Sequence, residues 1–325
     1  MRVPPGCDPE SIVLTFPVAR EFAGQRLDRF IQSRIPRLSR TRAHEIVRSC
    51  ARHEDGRLRR PGERVKPGEV VLLVRPRMNE PEVPLDFGIV FEDEDILAID
   101  KPAGLPMHPS ATYHKHTLTY QLRQRYGDPA PHIAHRLDRE TSGLVLCAKR
   151  LEIERALKGA FERREVSKTY LAIVEGVMEQ DEGLIEVPMG PVREGLHVMM
   201  EVRSDGSPAR TRYRVLGRSS GRTLVELFPE TGRQHQLRVH LSEVGHPIVG
   251  DKLYGPDREA PFLEYIETGM TDSLLHRLGH DRQALHAHSL RIPNPNGDGV
   301  LALKADFAAD LAKLWQEFDG APLPW

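Results

Sequence analysis

The chain has 325 residues, 39% of them apolar, and a formal net charge of −1. This length suffices for one large core plus a smaller module, and the apolar content suits a globular chain rather than a disordered one. No apolar run approaches the length that spans a bilayer, and the overall charge does not announce a nucleic-acid binder. The N-terminus, Met1 to Gly6, lacks the basic start and apolar stretch of a secretory signal and the Arg-rich pattern of a transit peptide. Cys7, Cys50 and Cys147 lie far apart without a Cys-x-x-Cys pair. That excludes a zinc knuckle, argues against a disulfide framework and points to a reducing, cytoplasmic setting.

Taken in chain order, the first part is a small basic module over residues 18–77. Leu27, Phe30 and Ile31 recur at helical spacing, as do Ala43, Ile46 and Val47 after Ser39, a candidate N-cap. Arginine is dense here, with Arg26, Arg29, Arg34, Arg37, Arg40, Arg42 and Arg48 among others, while acidic residues are far fewer. The bland reading is a solvated surface. An asymmetry that spans a whole module rather than one run favours a polyanion-binding surface. Val70 to Val74 reads as a strand, and Pro76 to Pro84 as a Pro- and charge-rich linker, set at residues 78–84.

The remainder, residues 85–325, opens with Ile89–Phe91 and Ile96–Ile99 separated by Glu92 to Asp95, a hairpin pattern. Further strands are expected at Leu144–Leu146, Tyr170–Val174, Arg212–Leu216 and Thr223–Leu227. Helices are expected at Thr117–Tyr126, Leu151–Arg164, Arg233–Val244 and Phe307–Phe318. Without a strict βαβ rhythm, this mixture predicts an α+β fold with a mixed, largely antiparallel sheet.

Asp138 sits in a polar loop between Arg136 and Arg139, just before Thr141-Ser142-Gly143 and an apolar strand. A carboxylate held by nearby arginines stays ionised and can act as nucleophile or base. Alone, it reads more readily as a structural residue that caps a turn and pairs with arginine. Glu230 to Leu241 opens a helix at a Gly turn, with Leu237, Leu241 and Val244 as an apolar stripe and Arg233, Gln236 and His240 on a neighbouring face. That polar face suits a cleft or, more blandly, solvent. His114-Lys115-His116 and His286-Ala287-His288 lack nearby Cys or clustered carboxylates and read as solvated or hydrogen-bonded histidines, not metal ligands.

Five stretches together carry a resemblance. They are Asp100 to Leu105 with His108-Pro109, then His135 to Gly143, Lys168-Thr169-Tyr170, Glu230 to Leu241, and Gly250 to Gly255 with Leu285-His286-Ala287. In this order and spacing the chain resembles the RluA-type RNA pseudouridine synthases. The basic module resembles the S4 RNA-binding domain that often precedes them: Gly24 to Asp28 and Ser39-Arg40 match its opening, while Val47 to Gly56 departs from its usual Asn-Gly turn.

The resemblance implies an enzyme that cuts the N-glycosidic bond of a uridine in structured RNA, turns the base and rejoins it through carbon. Ribosomal RNA is favoured over transfer RNA, and no cofactor or metal is implied. The family's catalytic aspartate falls on Asp138, its active-site tyrosine on Tyr170 and the basic partner of the aspartate on Arg233. The arginine that fills the gap left by a flipped base falls on Arg136. Arg26, Arg37, Arg40 and Arg42 are expected RNA contacts of the basic module. A non-catalytic RNA-binding protein would have lost Asp138, Tyr170 or Arg233, and a glycoside hydrolase needs a paired carboxylate, for which the loop offers only Glu140.

Overall fold

The computed structural model describes residues 3–9, 11–35, 38–75, 80–110, 112–295, 297, 299–320 and 322–323. The chain divides into two compact units, Met1–Asn79 and Glu80–Trp325.

In the first unit, β1 (Ile12–Pro17) is followed by α1 (Leu27–Arg34), α2 (Arg40–Cys50), the short β2 (Ala51–Arg52) and β3 (Val70–Arg75). β3 lies between β1 and β2, antiparallel to both. The helical spacing seen in the sequence is the burial pattern. Leu27, Phe30, Ile31 and Val47 are fully buried against Val71 and Leu73 of the sheet. Ser39 caps α2, its Oγ accepting the Arg42 amide N–H at 3.2 Å. β1 precedes the expected start at residue 18, yet it pairs along its whole length with β3 and belongs to this unit.

Of the arginines expected to bind RNA here, Arg40 and Arg42 are exposed on the first turn of α2, Arg42 pairing with Glu45 at 2.9 Å. Arg26 is engaged by the buried Asp28, Nη2 to Oδ2 at 2.6 Å. Arg37 lies outside the described residues.

The second unit runs β4 (Gly88–Glu92), β5 (Ile96–Lys101), α3 (Leu118–Tyr126), β6 (His132–Ile133), β7 (Ser142–Ala148), α4 (Leu151–Glu162) and β8 (Ser167–Glu175). There follow β9 (Glu182–Glu186), β10 (Met189–Pro191), β11 (Met200–Val202), β12 (Arg210–Ser219), β13 (Arg222–Pro229) and α5 (Gln236–Glu243). The unit ends with α6 (Ala260–Thr268), α7 (Asp272–Leu278), β14 (Leu285–Pro293), β15 (Val300–Lys304) and α8 (Ala309–Glu317).

Ten strands form one sheet in the order β4-β5-β7-β14-β8-β13-β12-β9, with β15 on β14 and β6 on β7. The β7–β14 contact is parallel and the other pairs are antiparallel, so the α+β class with a mixed, largely antiparallel sheet holds. β10 and β11 form a separate ribbon.

β7 is buried throughout, and apolar after Ser142, because helices cover both faces of the sheet. Leu144 and Leu146 pack with Ile153 and Leu157 of α4. Val145 and Cys147, one residue out of phase, pack with Leu118 and Leu122 of α3. The expected hairpin forms, its turn closed by Asp93 Oδ1, which accepts the amides of Asp95 at 2.8 Å and Ile96 at 2.6 Å. Glu80, inside the expected linker, is docked on the second unit: its carboxylate accepts the backbone N–H groups of His114 at 2.9 Å, Lys115 at 2.8 Å and His116 at 2.7 Å. Among the described residues, no helix is long and apolar enough to cross a membrane.

Candidate active site

The segment 136–142 crosses from the surface into β7, and almost every residue of it is tied down. Lys101, fully buried at the end of β5, donates to the carbonyls of Pro102 at 2.8 Å, Leu105 at 3.1 Å and Arg139 at 3.0 Å. Lys252 donates to both carboxylate oxygens of Glu140 at 3.0 Å and to the Asp281 carbonyl at 2.6 Å. Arg282, itself held by Asp310, donates to the Glu140 carbonyl at 3.2 Å. Gln283 donates to Thr141 Oγ1 at 2.6 Å, and Ser142 Oγ lies 3.0 Å from His286 Nδ1.

The strand register requires Gly143, whose φ is +107°: a Cβ there would stand 2.2 Å from the Ala287 carbonyl oxygen on the parallel neighbour. Buried ion pairs are poor stabilisers, but a satisfied network of them fixes one geometry. What this network fixes is the position of Asp138.

Leu137 is buried in the core beneath α3, so Arg136 and Asp138, its neighbours on either side, face the other way. Both line a cavity of about 580 Å³ together with Lys168, Tyr170, Arg233, His235 and Arg238. Arg136 is exposed and makes no hydrogen bond or ion pair among the described residues. Asp138 is not free: Arg238 Nη1 donates to its Oδ2 at 3.0 Å, and His235 Nε2 lies 3.8 Å from Oδ1. Burial by itself would raise the Asp138 pKa. The charge of Arg238, its hydrogen bond and smaller contributions from His235 and Gln283 together outweigh that and hold the carboxyl below the usual carboxylate range.

Arg238 is fixed in turn by Asp251, Nε to Oδ2 at 2.6 Å and Nη2 to Oδ1 at 2.8 Å, and it lies 4.9 Å from the Tyr254 ring centroid. Asp251 Oδ1 also accepts the amides of Leu253 and Tyr254 at 2.9 and 3.2 Å. Tyr170, near the start of β8, forms part of the cavity wall and packs against two core clusters. Burial first, and the Asp138 charge second, push its phenol pKa up, so it is neutral.

The structure reassigns one partnership. The resemblance gives the aspartate's basic partner as Arg233, but the guanidinium on Asp138 belongs to Arg238. Arg233 lies ahead of α5, which begins only at Gln236 because His235 adopts a left-handed backbone, φ +54°. Its side chain lines the same cavity but donates to the Pro208 carbonyl at 3.3 Å. Gln236, expected on a cleft-facing stripe, is buried: its side chain bonds Thr231 Oγ1 at 2.7 Å and the Arg210 carbonyl at 2.9 Å. His240 is wholly buried. Arg238 and His235 were the residues missed. The available signal was Asp251, a carboxylate in a mostly apolar stretch, but the adjacent Lys252 offers a nearer cation in the sequence and masks it.

Residues 95–243 match the RNA pseudouridylate synthase family. The chain is 37% identical over 297 residues to the ribosomal large subunit pseudouridine synthase D of Yersinia pestis, 88% of each chain being covered. It is 35% identical over 323 residues to the protein of the same name from Nitrosomonas europaea, covering 96% of this chain and 89% of that one. Among solved structures, human RNA pseudouridylate synthase domain containing 4 aligns with a TM-score of 0.57 at 28% identity, covering 72% of this chain and 94% of that chain. Human RNA pseudouridylate synthase domain containing 1 aligns at 0.54 and 27%, covering 76% and 100%.

Proposed function

The chain belongs to the RNA pseudouridylate synthase family, and from that premise we propose that it converts uridine to pseudouridine in ribosomal RNA with Asp138 as the group that meets the reacting sugar. The observation that carries this reading is the Arg238–Asp138 contact, 3.0 Å, in a cavity walled by Tyr170. A carboxylate kept ionised and aimed by a fixed guanidinium is ready to attack an electrophilic carbon or to remove a proton.

The reaction breaks the bond from N1 to C1′, forms one from C5 to C1′, and moves the C5 proton out as N1 gains one. No group is consumed. Reaching the bond requires the nucleotide to leave its stack, at a cost of a few kcal/mol. Tyr170 supplies an aromatic wall for the extruded base, and Arg136, with no bond of its own among the described residues, is the candidate to fill the vacated stack. In this reading Arg238 takes the partner role expected of Arg233, and Arg233 and Lys168 serve the phosphate backbone at the cavity rim.

The first unit is the RNA anchor, an S4-like module with Arg40, Arg42 and neighbouring arginines on phosphates. The large-subunit specificity in the names of the bacterial relatives supports ribosomal RNA as the substrate. Release of tritium from RNA carrying 5-tritiated uridine reads turnover directly. Asp138→Asn is expected to bind RNA normally and release none; substantial release by that variant would overturn the assignment.

A further inference from the structure

His235 stands ahead of α5 in a left-handed backbone conformation that residues with a Cβ adopt only at a cost, φ +54° and ψ 16°. Its side chain is held as firmly as its backbone. Nδ1 lies 2.7 Å from the Tyr254 hydroxyl, and the two rings meet edge to face. That hydroxyl also accepts the Met200 amide N–H at 2.8 Å.

The amide cannot take a proton. The proton of the Tyr254 hydroxyl therefore has Nδ1 as its acceptor among the described residues, and the ring proton is left on Nε2. Burial, and after it the charge of Arg238, keep the imidazole neutral, its pKa about 4. Nε2–H thus faces Asp138 Oδ1 across 3.8 Å, beyond hydrogen-bond reach, and has no hydrogen-bond partner among the described residues.

A neutral donor and an ionised acceptor separated in this way are bridged by a group that accepts from one and donates to the other. A carbonyl only accepts and an N–H only donates; a hydroxyl does both. Within an RNA chain the uracil offers carbonyls and an N–H, and the backbone offers phosphate and ether oxygens. The ribose 2′-hydroxyl is the group with both capacities. It is borne by the carbon next to C1′, where the base is detached, so a nucleotide presented to Asp138 brings that hydroxyl to this gap.

We propose that His235 is a substrate-binding residue that, together with Asp138, reads the ribose 2′-hydroxyl of the target uridine: Nε2–H donates to O2′, and the 2′-hydroxyl donates to Asp138 Oδ1. The inference rests on Asp138 being the group at the reacting sugar. It makes the site selective for a ribonucleotide at the target position, the 2′-hydroxyl being what distinguishes RNA from DNA locally.

The test compares two RNAs that differ only in the 2′-hydroxyl of a 5-tritiated target, in single-turnover tritium release at subsaturating RNA. His235→Asn is the variant of choice, because asparagine tolerates the left-handed backbone and its amide is too short to span the gap. On the ribo substrate it should lose roughly 10-fold or more, the effect of one buried hydrogen bond. The wild type should lose a similar factor on the 2′-deoxy RNA, and there the two proteins should be equal. A variant within twofold of wild type on the ribo substrate, or one with the same loss on both RNAs, overturns the inference.

If neither protein turns over the 2′-deoxy RNA, competition binding in the Asp138→Asn background decides. His235 must give a preference for the ribo competitor that His235→Asn abolishes, and a preference that survives the substitution refutes the contact. Turnover by Asp138→Asn itself would instead sink the proposed function, so the two failures are distinguishable.

Discussion

Arg238 and Asp251 form a bidentate pair sealed from solvent, 2.6 and 2.8 Å, and that pair aims the remaining guanidinium nitrogen at Asp138. One cation thus serves two carboxylates, and the planar fork of arginine is what allows it.

Arg238→Lys should therefore separate charge from geometry. A single ammonium cannot span Asp251 and reach Asp138 together, so turnover is expected to fall on the order of 100-fold with the cation retained. The pH profile gives the sharper reading. In the proposed reaction Asp138 acts as the carboxylate, and Arg238 helps lower its pKa against the opposing effect of burial. Weakening Arg238 lets burial raise that pKa, so the acid limb of the rate should move to higher pH in the variant. An acid limb at the wild-type position would show that Arg238 does not set the ionisation of Asp138.

Lys101 offers a test on stability. Burial pushes its ammonium down to about 7 in the folded chain, against about 10.4 when unfolded. Between those values the unfolded chain binds more protons than the folded one, so the Lys101 contribution favours folding increasingly as pH rises through that window. The wild-type stability minus that of Lys101→Met should grow between pH 7 and 9, by at most about 1.4 kcal/mol per pH unit. Denaturant melts at both pH values measure it, and a difference that does not change with pH would discard the buried-ammonium account. Turnover by Lys101→Met should drop as well, because the Arg139 carbonyl beside Asp138 loses its donor.

How far the sequence could be read follows from where each signal is stored. Local signals were legible: Ser39 caps α2 as expected, the helix expected from Thr117 starts at Leu118 with Thr117 as its cap, and the apolar run Leu144 to Leu146 lies in a strand covered on both faces. Long-range pairings were not. β14 carries His286 and His288 in a strand flanked by β7 and β8, and buried histidines there mask the apolar run that would identify it. α6 and α7 were passed over, Leu263, Ile266 and Leu275 being apolar yet exposed. Asp138 could be picked out by its motif, while its partner could not. The choice between Arg233 and Arg238 depends on a left-handed residue at 235 and on a carboxylate at 251, neither of which announces itself in the local pattern.

The first unit has its own core, built from α1, α2 and β3, and the second unit has core clusters of its own, such as that of Leu144, Leu146, Ile153 and Leu157. Deleting residues 1–79 should leave a folded second unit that binds RNA more weakly and with a flatter dependence on salt, since arginine–phosphate contacts carry the salt slope. Affinity measured from low to high salt on one RNA checks this. Equal affinity with an unchanged slope would remove the anchor role from Arg40, Arg42 and their neighbours.

Arg136 and Asp138 flank the buried Leu137 and face the same cavity, so one can enter the RNA stack while the other meets the extruded nucleotide. If Arg136 fills the vacated position, Arg136→Ala loses activity because extrusion becomes unfavourable, not because chemistry fails. Unstacking costs a few kcal/mol, and less when the nucleotide is already unpaired or mismatched. The defect should then be severe on a stacked target and milder on a target placed in a mismatch. Asp138→Asn should be equally inactive on both. A purely structural Arg136, holding the loop, predicts the same fold-loss on either RNA. Such a role has little support from its contacts, since the side chain is exposed and makes no bond among the described residues, while Lys101, Lys252 and Arg282 already hold the loop. Single-turnover rates of Arg136→Ala on the two substrates decide the matter, and equal losses would leave Arg136 without a part in base extrusion.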